Sequence, residues 1–142
     1  MMLLLDTNVL SELRKVGAGK ADARVAAWAA SVDAAQLYVS AISIMELELG
    51  VLAMERKDAA QGALLRTWLE AQVLPEFAER TLAVDSAVAR RCARLHVPDK
   101  RGERDALIAA TALVHGMAVA TRNVADFVAT GVEIINPWMF TD

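Results

Sequence analysis

Four consecutive apolar residues, Met2 to Leu5, are halted by the polar triplet Asp6-Thr7-Asn8. A strand that is apolar at every position, rather than at alternate ones, has to be covered on both faces, as a central strand of a parallel sheet is. Parallel neighbours need long crossover connections, usually helices, and the rest of the chain supplies candidates for both. Further strands are expected at Leu37–Ile42, Thr81–Val84, Met117–Thr121 and Val132–Ile135, each short, apolar and rich in β-branched residues. Between them lie helical segments: a short one after Asp6 to about Leu13, one capped by Asp22, one from Ser43 to about Glu55, and one from Ala59 to Leu74 ended by Pro75. Asp85 is read as the cap of a fifth, and Asp105 as the head of the apolar helix Ala106–His115. The expectation is an α/β fold: a central, mostly parallel five-stranded sheet flanked by helices, formed as a single domain over residues 1–142.

Composition narrows the function classes. Hydrophobic residues make up 56% of the chain, which supports a packed core and leaves apolar surface for a partner to cover. No apolar stretch approaches the roughly 20 residues of a membrane span, and the N-terminus lacks the basic region of a signal peptide. The one cysteine, Cys92, excludes an internal disulfide, and the expected location is the cytoplasm. A net charge of −3 argues against a general nucleic-acid coat, though not against a nuclease whose bound cations supply the positive charge.

In an open parallel sheet, ligands bind beyond the carboxyl ends of the strands. The expected elements bring acids to that edge: Asp6 after the first strand, Glu46 in the helix after the second, Asp105 heading the helix before the fourth, and Asp126 in the loop beyond the fourth. Crowded carboxylates repel one another unless a cation intervenes. Mg²⁺ and Mn²⁺ prefer oxygen ligands, and two such ions about 3.5–4 Å apart can clamp the attacking and leaving oxygens of a phosphodiester. Taken singly, each acid has a plainer role. Asp6 suits a turn, Ser43-x-x-Glu46 is a capping-box pattern, Asp105 suits an N-cap or a first helical turn and Asp126 an Asx turn. Their joint placement is what points to metal-assisted phosphodiester hydrolysis. No phosphate-cradling glycine loop or nucleophile elbow accompanies them, Cys92 reads as a packing residue, and His96 and His115 as surface histidines.

The segments LLDTNVLSE, SAISIMELELG, DALIAATA and TRNVADF occur in this order, with LPEF before the third strand and IINPW near the end. Together they resemble PIN-domain toxins of VapC type, and the last two resemble the FitB-like subgroup. The resemblance covers essentially the whole chain. It implies a PIN fold and a metal-dependent endoribonuclease, the toxin of a type II toxin–antitoxin system. On that resemblance Asp6, Glu46 and Asp105 match the metal ligands, and Asp126 matches a fourth acid that supports a second metal or positions water. Thr121 matches a Ser/Thr that orients the site, and Asn8 a polar residue that holds the neighbouring carboxylates. It also implies Mg²⁺ or Mn²⁺ as cofactor, an RNA substrate, a cognate antitoxin covering the acidic groove, operator DNA reached only through that antitoxin, and a homodimer. Arg104, Arg122, Arg14 and Lys15 flank the acids and are candidate RNA contacts, with solvated surface charge as their plain alternative. A second class of function is a PIN-fold binding subunit that mainly braces an antitoxin on DNA with little nuclease activity. A receiver-like phosphoacceptor is set aside, because the first strand is followed by one Asp rather than two and no Lys follows the fifth.

Overall fold

The computed structural model describes residues Met1–Asp142. Its five strands form one sheet in the order β3-β2-β1-β4-β5. They are β1 (Leu3–Leu5), β2 (Leu37–Ser40), β3 (Thr81–Leu82), β4 (Ala118–Ala120) and β5 (Ile134–Ile135). Every pairing is parallel, with Leu3 opposite both Leu37 and Ala118. The chain builds outward from β1 through β2 to β3, then crosses back to add β4 on the other side of β1. The switch point therefore lies between β1 and β4, where Asp6 and Thr121 leave the sheet.

Successive residues of β1 face opposite ways, and both faces are covered. Leu3 and Leu5 pack with Val9 and Leu10 of α1 (Thr7–Val16), Trp28 of α2 (Ala23–Ser31), and Leu47 and Val51 of α3 (Ala41–Lys57). Leu4 faces the other layer, with Val88, Cys92 and Leu95 of α6 (Ser86–Leu95) and Ile108 and Ala109 of α7 (Glu103–His115). This two-sided burial is what the unbroken apolar run required. The edge strands β3 and β5 are two residues each, which leaves little unpaired edge for another chain to pair with. No helix is long and apolar enough to cross a membrane.

Three local expectations are corrected. The second strand stops at Ser40 rather than Ile42, because the Ser40 hydroxyl accepts the Ile42 N–H and caps α3. Ser43 is thus inside the helix, buried, its hydroxyl without a partner, and no Ser43–Glu46 capping box forms. Pro75 does not end its helix. After α4 (Ala59–Trp68) a π-helical stretch, Leu69–Val73, leads into α5 (Leu74–Glu76), with the Leu74 N–H donating to the Leu69 carbonyl. The wider turn accommodates a residue that has no N–H to give and whose ring crowds the carbonyl four positions earlier. Finally, α7 starts at Glu103, two residues before Asp105, on an N-cap Gly102 that offers no side chain. Asp105 is in the first turn and caps nothing.

The α3–α4 hairpin fixes the pitch of the helix that carries Glu46. Asp58 ends α3 and caps α4 through the Ala60 and Gln61 N–H groups. Arg66 reaches back to Glu48 at 2.6 Å and Glu55 at 3.2 Å. At Gly62 the helices touch so closely that a Cβ would lie 2.5 Å from the Glu55 Cα, a backbone atom that cannot yield locally. Gly62→Ala is expected to destabilise the protein by about 1–3 kcal/mol through overpacking. Thermal denaturation measures this, and an unchanged melting temperature would show that the helices separate freely.

Candidate active site

Asp6 leaves β1 with its backbone N–H still bonded to the Ala120 carbonyl at 2.9 Å, so its side chain is held at the sheet edge. It is the N-cap of α1, and one carboxylate oxygen accepts the Thr7 N–H at 2.8 Å. The other accepts the Thr121 hydroxyl at 2.8 Å and the Asn8 amide at 3.2 Å. The Asn8 amide also reaches the Thr121 hydroxyl at 3.3 Å, while its carbonyl accepts the Arg122 N–H at 3.2 Å. Asp6, Asn8 and Thr121 thus form one network that staples the end of β1 to the end of β4. Asp6 is only 4% exposed. Its burial raises the carboxyl pKa, against the lowering effect of the Thr121 and Thr7 hydrogen bonds, and the Glu46 charge raises it further.

Glu46 lies in the second turn of α3 and points to the same edge. One of its oxygens accepts the Thr7 hydroxyl at 2.7 Å, and the other stands 3.7 Å from the Arg104 guanidinium. Thr7 is the contributor that sequence reasoning passed over: it sits between Asp6 and Asn8, and its β-hydroxyl at the start of α1 was the available signal. Thr7→Val removes the tether on Glu46 and is expected to lower metal affinity or cleavage about tenfold, as loss of a supporting partner does. Wild-type values in Thr7→Val would show that the hydroxyl does not position the carboxylate.

Asp105, half-buried in the first turn of α7, is pushed up to about 6 by burial and by the charges of Asp6, Asp126 and Glu46, in that order. Asp126 lies exposed in α8 (Val124–Phe127), in a helical turn rather than a plain loop. These interactions place the acids within electrostatic range of one another. Of the basic neighbours, Arg104 faces Glu46, Arg122 lies over the Trp138 ring at 5.3 Å, Arg14 lies over Trp68 at 6.0 Å, and Lys15 pairs with Glu12 at 3.3 Å. Away from this edge, burial raises the Cys92 thiol, as suits a packing residue. His96, half-buried, accepts the Arg101 N–H at 3.0 Å.

The donor set suits a hard divalent cation: oxygen ligands only, no thiolate or imidazole, and carboxylates whose repulsion a cation would relieve. No three acids already form a closed metal-binding group. Mg²⁺ does not need one, since it is commonly held by one or two carboxylates with water and substrate phosphate.

Residues 3–131, which include β1 to β4 of the doubly covered parallel sheet and the acids at its switch point, match the family model described as the PIN domain. The chain belongs to the PIN-domain family, and within it to the VapC and FitB toxin type. It is 41% identical to the VapC ribonuclease Y4jK of Sinorhizobium fredii, over 96% of this chain and 98% of that one. It is 38% identical to the toxin FitB of Neisseria gonorrhoeae, over 96% of this chain and 99% of that one. Its fold superposes on a chain of FitAB bound to an IR36 DNA fragment with a TM-score of 0.87, at 36% identity and 99% coverage of both chains. A toxin–antitoxin complex from Klebsiella pneumoniae is also similar, with a TM-score of 0.65, 28% identity, and coverage of 95% of this chain and 97% of that one.

Proposed function

We infer that this chain is the toxin of a toxin–antitoxin pair and an endoribonuclease that hydrolyses RNA phosphodiester bonds with Mg²⁺ or Mn²⁺ at Asp6, Glu46, Asp105 and Asp126. The observation that carries the reading is the convergence of these carboxylates on one sheet edge, with Asp105 raised to about 6 by burial and by the other three. A divalent ion bound there would acidify the attacking water and polarise the scissile phosphate. Asp6 is fixed for ligation by Thr121, Asn8 and the Thr7 N–H, and Glu46 by the Thr7 hydroxyl. Arg104, 53% exposed beside Glu46, is placed to meet a substrate phosphate as it leaves the carboxylate. Water attacks phosphorus in line and the bond to the 3′ oxygen breaks, leaving a 5′-phosphate and a 3′-hydroxyl. No protein nucleophile takes part.

The partners follow the same reading: a cognate antitoxin, operator DNA reached through it, and a second copy of the chain. Met45, Leu49 and Leu52 on α3, 41%, 44% and 48% exposed, form an apolar stripe that supports a protein partner. The test is incubation of partner-free protein with total cellular RNA. Discrete fragments bearing 5′-phosphates are expected with Mg²⁺ or Mn²⁺ and none with EDTA. Identical fragments in EDTA would overturn the role of the metal, and no fragments under any condition would favour a subunit that mainly braces an antitoxin on DNA.

A further inference from the structure

A cleft of about 220 Å³ opens beside the acidic edge, between α1, α3 and α4. Thr7 and Glu46 form its near end, so the cleft and the acidic site share a wall. Leu47 and Val51 give it an apolar floor, and Trp68 and Arg14 close the far end. The Arg14 guanidinium lies over the Trp68 ring, 6.0 Å from its centre. Arg14 is exposed and makes no ion pair, so its charge is uncommitted.

A flat aromatic face, an uncommitted guanidinium and an apolar floor thus stand directly against groups suited to a phosphodiester. An unpaired nucleotide presents the matching chemistry: a flat base and a phosphate on one flexible unit. Single-stranded RNA is bound by stacking bases on aromatic rings and on guanidinium planes. We propose that this cleft is a subsite for one unpaired nucleobase of the RNA next to the scissile phosphate, stacked on Trp68 and covered by Arg14. This rests on the nuclease reading of the adjoining carboxylates. A base sandwiched between them needs two stacking contacts of about 3.5 Å each, more than the 6.0 Å from the guanidinium to the ring centre, so Arg14 moves outward as the base enters. Trp68 and Arg14 are then specificity-determining residues: they admit unstacked nucleotides and disfavour bases held in a duplex.

Binding tests the subsite separately from cleavage. The probe is a fluorescein-labelled single-stranded RNA of about twelve nucleotides, set against the same oligomer built from abasic units, with Ca²⁺ present to neutralise the carboxylates. The wild-type protein is expected to bind the oligomer with bases roughly 5- to 100-fold more tightly. Trp68→Leu keeps an apolar side chain against the core but offers no stacking face, and it is expected to lose that difference. Trp68→Phe is expected to keep most of it, and Arg14→Ala to weaken both oligomers and narrow the difference. Undiminished base dependence in Trp68→Leu would overturn the proposal and leave the cleft to an apolar peptide. Cleavage with Mn²⁺ is scored on the same proteins. Base-dependent binding without cleavage supports the subsite while removing the nuclease reading; cleavage with binding indifferent to Trp68 overturns the subsite alone.

Discussion

Asp6→Asn is expected to lower RNA cleavage by at least about 100-fold, beyond the 10- to 100-fold typical of a lost supporting partner, while the protein stays folded. The substitution removes the negative charge from the most buried of the acids. An asparagine can still accept the Thr7 N–H through its carbonyl oxygen. On the other side its NH₂ meets the Asn8 amide, a donor facing a donor, where a carboxylate oxygen had accepted from both Asn8 and Thr121. That mismatch costs on the order of 1–2 kcal/mol, short of unfolding a domain of ordinary stability. Cleavage assays beside circular dichroism at rising temperature check both halves. A folded Asp6→Asn protein that cuts RNA at the wild-type rate would place the chemistry elsewhere.

Asp105→Asn is expected to abolish cleavage as well, but to stabilise the ion-free protein. Burial and three neighbouring carboxylates hold Asp105 near 6 in the folded state, against an ordinary 3.8. A folded-state pKa above the unfolded one means that the folded protein binds the proton more tightly. Stability contributed by that proton is present at low pH and is lost as pH rises from about 4 through 6. At pH 7.5 the ionised carboxylate therefore opposes folding, and asparagine removes the penalty. The full shift corresponds to about 3 kcal/mol, and with Asp105 partly open to solvent, screening reduces the expected gain to about 1–2 kcal/mol. The melting temperature of Asp105→Asn should exceed that of wild type at pH 7.5 and converge with it near pH 4. Added Mn²⁺ should reverse the order, by stabilising wild type and leaving the variant unmoved. A variant less stable than wild type at pH 7.5 without metal would contradict the crowding of the acids.

Much of this was readable from sequence because it follows from burial alone. The run Met2–Leu5 had to be a strand covered on both sides, and Leu3, Leu4 and Leu5 divide between two cores accordingly. The alternation of elements then put Asp6, Glu46, Asp105 and Asp126 at one edge. What sequence concealed was competition between equally good local partners. Ser40 and Ser43 could each cap α3, and the one at the strand end prevailed, which freed Glu46 for Thr7. Pro75 signals a helix end by its missing N–H, but a π turn upstream relieved its clash and carried the helix to Glu76. Glu48 meets Arg66 only because α4 folds back against α3. Contacts of this kind, between residues far apart in the chain, have no periodic signature.

The carboxylates at the end of β1 and on α3, α7 and α8 are expected to form a divalent-cation site. Titration of partner-free wild-type protein and Asp6→Asn with Mn²⁺, followed by electron paramagnetic resonance of the free ion, tests it most directly. Wild type is expected to take up Mn²⁺ at pH 7.5 and to release it as the pH falls below 6, where Asp105 binds a proton, while Asp6→Asn takes up little at either pH. Equal uptake by the two proteins at pH 7.5, or no uptake by wild type, would contradict it.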